Sequence, residues 1–294
     1  MNSIRALRES DRADILEIAK NTWDGHDYVP YFFDKWLRDR NSHPVGMEFD
    51  GHVIAIANLR VIDNGRTGWM EALRVHPDYR EKKLATIMTK YVVELAEGIP
   101  VERIRYTTAV DNTKSLHLAE SVGMKIKFRL SFHWQRNPAA ISWQSSQNPV
   151  IEVSSKELYD DLIASDLLPF NVLIYDWKAV DIAQDGLDII NSIARFWIQR
   201  DADKVRSFSV GSPCSQWSAD ESDQEWKATI YAFDSSSFLD QLSHHVHLAA
   251  ESGCTSIFVT FDTSYSDTIN TLDWVTKEEY EDEEWGLVLL ERVF

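Results

Sequence analysis

A chain of 294 residues with 44% hydrophobic content, a formal net charge of −17 and two cysteines is long enough for two domains of ordinary size, each with its own core. It carries no run of eighteen apolar residues to span a bilayer, its opening MNSIRALRESDR lacks the apolar stretch of a secretory signal, and Cys214 and Cys254 make neither a disulfide framework nor a C-x-x-C metal pair. A cytoplasmic protein without a membrane partner is therefore expected.

The charge is unevenly placed. Residues 1–140 hold 21 Lys plus Arg against 19 Asp plus Glu, a balance of +2, which leaves 9 against 28, or −19, for the remainder. An acidic second half repels phosphate backbones, so nucleic acid is not expected as a partner. A solubilising surface is the simpler reading of that charge than a docking site for cations.

In chain order, Ser3–Leu7 reads as a short strand, and Ser10-Asp11 caps a helix that places Ile15, Ile18 and Ala19 on one face and ends before Asn21. A second helix runs from about Tyr31 to Arg38. Val45–Phe49 and Val53–Ile62 form a hairpin through Asp50-Gly51, a pair that tolerates positive φ. Asp63-Asn64-Gly65 then turns the chain into a strand over Gly68–Val75. Pro77 cannot continue a sheet ladder, and Leu84, Ile87, Met88, Tyr91, Val92 and Leu95 recur at helical spacing. Ile104–Val110 is β-rich, Asp111-Asn112 caps a helix through Val122, Gly123 supplies its left-handed end, and Lys125–Trp134 is another strand.

Gln135–Val150, with two prolines and no sustained period, reads as a linker. Beyond it Asn171–Ile182 is strand-like, a helix is expected near Leu187–Gln199, strands near Phe208 and over Trp226–Phe233, a helix over Ser236–Ser252, and strands over Ile257–Asp262 and Leu287–Val293. The expected organisation is a first domain over 1–137, a linker over 138–150 and a second, acidic domain over 151–294.

The stretch that carries chemistry is Trp69–Met88, where a strand stops at a proline and a basic turn opens an amphipathic helix. The free N–H groups at such a helix start suit an anion, and Arg80, Lys82 and Lys83 add positive charge. Each charge at a helix terminus is worth about 0.3–1 kcal/mol, so several must act together. The plain alternative is a basic first turn on a surface helix.

The order strand, His76-Pro77-Asp78-Tyr79-Arg80, basic turn, Leu84-Ala85, amphipathic helix resembles the acetyl-CoA-binding segment of the GNAT N-acetyltransferases. The element order β-α-α-β-β-β-α-β-α-β is also that of the GNAT fold, an α/β architecture whose mixed sheet has splayed central strands. The second half resembles a degenerate GNAT-like domain, and without a basic turn after Ala228–Phe233 it is expected not to bind cofactor. In the family the turn reads Gln or Arg, two residues, Gly, one residue, Gly or Ala. This chain keeps Arg80 and Ala85, but Lys83 stands at the central glycine and Glu81 where another is common. Residues entering a helix have ordinary helical dihedrals, so Lys83 is expected to present its N–H without needing a glycine.

The resemblance implies acetyl-CoA as co-substrate, with no metal, and an amine acceptor. It implies that Leu73, Arg74 and Val75 line the cofactor together with Arg80, Glu81, Lys82, Lys83, Leu84, Ala85 and Thr86, and that Asn112 and Ser115 of a second motif face them. Glu71 is the candidate general base, directly or through water; the alternative is a carboxylate paired to Arg60 or another cation. In the second motif, Asn112, Ser115, Leu118-Ala119 and Gly123-Met124, Ala119 replaces the tyrosine that protonates the leaving thiolate. His117 is a candidate to offer that proton or touch coenzyme A, against a solvent-facing alternative, and Tyr106 points from the adjacent strand. A thiol is already a good leaving group near neutral pH, so departure without a dedicated acid is expected.

Trp23-Asp24-Gly25-His26-Asp27-Tyr28-Val29-Pro30, followed by Trp36-Leu37, resembles the Gly-x-Asp-Tyr-x-Pro and Trp-Leu of the histidine N-acetyltransferase group within the family. By that likeness Asp24 or Asp27 holds an ammonium, His26 lies in the same segment, and Tyr28 or Trp36 stacks on a ring; the alternative is a packed helix connection. His244, His247 and Glu251 share a helical face but lack a fourth ligand, so no metal site is expected there. The expected activity is acetyl transfer to a primary amine of a small molecule such as an amino acid, by a monomer or homodimer. Protein N-termini or lysines as acceptors, and a non-catalytic acyl-CoA-binding module, are the alternatives.

Overall fold

The computed structural model describes residues 3–25, 27–142, 148–202, 204–213, 224–275 and 285–294. The chain divides into two units. The first holds Met1–Tyr106, Asn112–Ile126 and Leu290–Phe294, the second Thr107–Asp111 and Lys127–Leu289. Sequence order therefore does not set membership, since the last five residues belong with the first unit.

In the first unit β1 (Ser3–Ala6) is followed by α1 (Arg12–Ala19), α2 (Val29–Arg38), β2 (Ser42–Phe49), β3 (His52–Ile62), β4 (Thr67–Val75), α3 (Leu84–Glu97), the start of β5 (Arg103–Ala109), α4 (Thr113–Ser121) and the start of β6 (Lys125–Arg136). This is the order expected from the sequence. β1 to β4 pair antiparallel in succession. Asp50 and Gly51 both take positive φ, 50° and 82°, as a two-residue hairpin loop requires, and Gly123 ends α4 at φ 78°. Leu7, Ile15, Ile18, Val29, Phe33 and Trp36 pack with Val53 and Ile56 of β3, burying the apolar faces of α1 and α2 against the sheet. Burying each such side chain is worth about 1.5–3 kcal/mol.

Two irregularities in this sheet matter most. β4 and β5 pair parallel only at Thr67↔Arg103, Gly68↔Ile104 and Trp69↔Arg105. And β4 carries a bulge: Glu71 faces Asn58 and Arg74 faces Ile56, so Ala72 and Leu73 together oppose Ala57.

The second unit contains the remainder of β6, then β7 (Val150–Val153), α5 (Ser155–Ile163), β8 (Val172–Tyr175), β9 (Lys178–Asp181), α6 (Gln184–Asn191), β10 (Arg195–Asp201), β11 (Lys204–Pro213), β12 (Glu225–Ala232), α7 (Ser235–Glu251), β13 (Ser256–Asp262), α8 (Ser266–Asn270) and the start of β14 (Gly286–Val293). Trp197, Trp226, Ile230, Phe238, Leu242 and Phe261 form its core between α7 and the sheet. The helix expected over Leu187–Gln199 is corrected: α6 stops at Asn191 and residues 195–201 are β10, paired to β11 on one side and β7 on the other. A strand buried from Phe196 to Gln199 reads as a continuous apolar run, which periodicity cannot separate from a helix. Among the described residues no helix is long and apolar enough to cross a membrane.

Candidate functional site

β4 approaches its end with its side toward β5 released after Trp69. The bulge is made by Ala72, buried and at φ 60°, a left-handed conformation that costs a non-glycine residue about 1–2 kcal/mol. The Ala72 N–H donates to the Tyr28 hydroxyl at 3.1 Å. Burial, with Glu71's charge second, pushes the Tyr28 phenol above its ordinary range. Next in the strand, Arg74 is clamped by Asp27, Nε to Oδ2 at 2.8 Å and a second guanidinium nitrogen to Oδ1 at 3.1 Å, and its guanidinium lies 5.4 Å from the Tyr28 ring centroid. The same Asp27 Oδ1 accepts from the Val29 N–H at 3.1 Å. Charge-assisted, bidentate pairing of this kind is strong and directional. The start of α2 thus braces the bulged part of β4.

Glu71 lies at the same place. Its Oε1 accepts from Asn58 Nδ2 at 2.8 Å, and that nitrogen also reaches Ser42 Oγ at 2.9 Å. Arg60, the cation weighed as its partner, pairs instead with Asp39 at 3.3 Å. Asn58 and Ser42 were not singled out in the sequence; a lone amide inside the apolar strand HVIAIANLRVI was the available signal.

The turn after β4 differs from expectation in one respect. Lys83 is the N-cap of α3 at φ 60°, ψ 16°, and Glu81 has φ 64°. The expectation of ordinary helical dihedrals at Lys83 is therefore corrected: both positions take the conformation in which glycine is unstrained. Left-handed residues alternating with their neighbours turn successive N–H groups to one side, a concavity suited to an anion, and the first-turn N–H groups of Leu84, Ala85 and Thr86 continue it. Arg80, Glu81, Lys82 and Lys83 are exposed. Arg80 Nε donates to the Val75 carbonyl at 3.4 Å, and Lys82 Nζ stands 4.8 Å from the Tyr79 ring centroid. Leu73 and Val75 are half-buried in β4.

At the start of α4, Asn112 Oδ1 accepts from the Ser115 N–H at 3.2 Å, and Ser115 bonds the Tyr106 hydroxyl. His117 is exposed and Ala119 fully buried. Of the acceptor-side residues, Trp36 is 5% exposed and meets Tyr28 edge-on at 6.3 Å, and Asp27 is 2% exposed; both are enclosed by protein groups. The side chain of Asp24 and all of His26 lie outside the described residues. In the second unit His247 pairs with Glu251 at 3.1 Å and His244 packs edge-on against Trp197; among the described residues no group of three or more His, Cys, Asp or Glu is gathered as a metal site.

The fold has counterparts among solved structures, and part of the sequence has relatives. Curated relatives include the histidine N-acetyltransferases of Oreochromis niloticus, 25% identical over 70% of this chain and 66% of that protein, and of Scomber australasicus, 26% identical with the same coverage. The chain thus spans just under two thirds of their length. Among solved structures, a Thermoplasma acidophilum protein assigned to the acetyltransferases superposes with a TM-score of 0.63 at 16% identity, covering 99% of this chain and 100% of that one. A GCN5-related N-acetyltransferase of Sphaerobacter thermophilus gives 0.59 at 11%, covering 99% and 95%; both likenesses concern the fold. The model of the acetyltransferase (GNAT) family matches residues 9–124, the stretch that contains the bulge, the basic turn and the start of α4. That stretch of the chain is similar to the GNAT acetyltransferase family.

Proposed function

We propose that the first unit transfers the acetyl group of acetyl-CoA to the primary amine of a small molecule, an α-amino acid such as histidine. The single observation that carries this reading is the conjunction of a strand that parts from its parallel neighbour after Trp69 with left-handed backbones at Glu81 and Lys83 leading into the first turn of α3. The pyrophosphate lies against Arg80–Thr86, the pantetheine arm along Leu73–Val75, and Asn112, Ser115 and exposed His117 meet coenzyme A from the α4 side. An extended ligand can run beside a strand that has parted from its neighbour, as an added strand would.

The chemistry asks for a neutral amine and a polarised carbonyl. Glu71, oriented by Asn58 and Ser42, takes the amine's proton directly or through one water. A main-chain N–H at Leu73 or Val75 faces the carbonyl oxygen. The amino-acid acceptor is supported by the names of the curated relatives and by the Trp23–Pro30 segment, whose Asp27 and Tyr28 reach β4 within hydrogen-bond distance of the bulge. Asp24 is the group of that segment we assign to the acceptor's ammonium, with His26 two residues further on.

Thiol release from acetyl-CoA, measured across free amino acids, polyamines and short peptides, tests this. Turnover with free amino acids is expected, and turnover on peptides alone would overturn the small-molecule acceptor. Glu71→Gln should bind acetyl-CoA as the wild type does and lose at least a hundredfold in kcat. Full activity of that variant would remove Glu71 as the base.

A further inference from the structure

Tyr106 is the first β5 residue beyond the last β4 pair, Trp69↔Arg105, and so stands at the vertex where the two strands part. Glu71 is two residues beyond Trp69 on the other arm. The Tyr106 ring is half-buried, and its hydroxyl is held at the first turn of α4, donating to the Ser115 carbonyl at 2.9 Å and accepting from Ser115 Oγ at 3.2 Å. Ser115 is itself fixed by the Asn112 cap.

A side chain at position 119 lies one turn further along α4. Helical side chains lean toward the N-terminus, so a long one at 119 would reach over Ser115. Ala119 is fully buried and offers only a methyl group. A phenol arriving from β5 therefore meets the turn that a phenol at 119 would meet from the helix. Resting on the acetyl-transfer reading, we propose that Tyr106 is the proton donor to the departing coenzyme A thiolate, supplied by the strand in place of a side chain at position 119.

The step balances as follows. The amine nitrogen bonds to the thioester carbonyl carbon, the C–S bond breaks with its electron pair on sulfur, and the Tyr106 O–H turns from the Ser115 carbonyl, to which it donates at rest, and passes its proton to that sulfur. The Ser115 Oγ–H, already pointed at the phenol oxygen, stabilises the phenolate until water returns the equivalent of the proton taken at Glu71. The net change moves one proton from amine to thiol. Burial raises the phenol's pKa, against a smaller opposing effect of the Ser115 hydrogen bond, so the donor is protonated at neutral pH.

The test uses the full chain and measures thiol release from acetyl-CoA in two arms, with L-histidine and with water as the only acceptor. Tyr106→Phe should lose at least tenfold in kcat in both arms, with the KM for acetyl-CoA within twofold and an unchanged unfolding midpoint. Tyr106→Ala combined with Ala119→Tyr, which returns the phenol to the helix, should regain at least threefold over Tyr106→Ala alone. A Tyr106→Phe rate within twofold of wild type overturns the proposal, as does a loss that appears with raised KM and is not regained by the exchange. Hydrolysis shares the leaving group but not the acceptor, so the water arm reads Tyr106 even where histidine is refused. Failure of the acceptor reading is thereby separated from failure of this one.

Discussion

Glu81 and Lys83 place their backbones in the left-handed region on either side of Lys82, with φ 64° and 60°. The basic residue types of this turn were legible because charge and helical spacing are written in side chains. The conformation was not, because no glycine marked it. A lysine at φ 60° is strained by about 1–2 kcal/mol relative to glycine, and it retains a charge beside the proposed phosphate site. Lys83→Gly should therefore raise the free energy of unfolding in urea by about 1 kcal/mol, and Lys83→Val, β-branched at a position of positive φ, should lower it by at least as much. Stabilisation by valine would contradict the left-handed assignment. Asp27 shows the converse limit of residue-level reading. The sequence offered it as a ligand for an ammonium, whereas its carboxylate lies bidentate on Arg74; which cation a buried aspartate meets depends on strands distant in sequence.

Among the elements, the strands and helices of the first unit were legible in order because each has a clean period and a marked turn. Those of the second unit were less so. The helix α5 was missed although Ser154 and Glu157 form a capping box whose pattern stands in the sequence, and β10 was taken into a helix because it is apolar on both faces. The destination of β14 was not legible at all. Its final residues join the first unit, where the Phe294 N–H donates to the Glu102 carbonyl at 2.9 Å and Glu291 Oε2 accepts from Arg105 Nε at 2.7 Å. Arg105 is 2% exposed by side chain, and Asp63 Oδ2 lies 3.7 Å from its Nη1. Removing one partner of a buried ion pair leaves charge without full compensation, typically about 3 kcal/mol or more. Glu291→Ala should accordingly lower the unfolding free energy by about 3 kcal/mol, measured by urea denaturation. A change below about 0.5 kcal/mol would show that the C-terminal strand does not support β5.

Across the whole molecule, the two units treat the same local pattern differently. β12 and β13 stay paired through six positions, Glu225↔Ser256 to Ile230↔Phe261, where β4 and β5 part after three. The N-terminus of α7 is capped by the Asp234 carboxylate, which accepts from the Ser237 N–H at 2.8 Å, and an acid there repels a phosphate. The second unit also holds histidines whose titration is shifted. Burial lowers His133 to about 4, and lowers His244 and His245 as well. His133 is neutral when folded and takes up a proton when unfolded below about pH 6.5, so stability falls as pH drops from there toward 4, by up to about 1.4 kcal/mol per pH unit, and His244 and His245 act in the same direction. The unfolding midpoint should decline between pH 6.5 and 4.5, and His133→Gln should flatten that decline. A midpoint independent of pH in that window would show that these rings are solvated. The central claim, one cofactor site per chain at the turn before α3, is tested most directly by calorimetric titration with acetyl-CoA. One molecule should bind per chain, and the double variant Arg80→Ala, Lys82→Ala should bind at least tenfold more weakly. Two molecules per chain, or an affinity unchanged in the double variant, would contradict it.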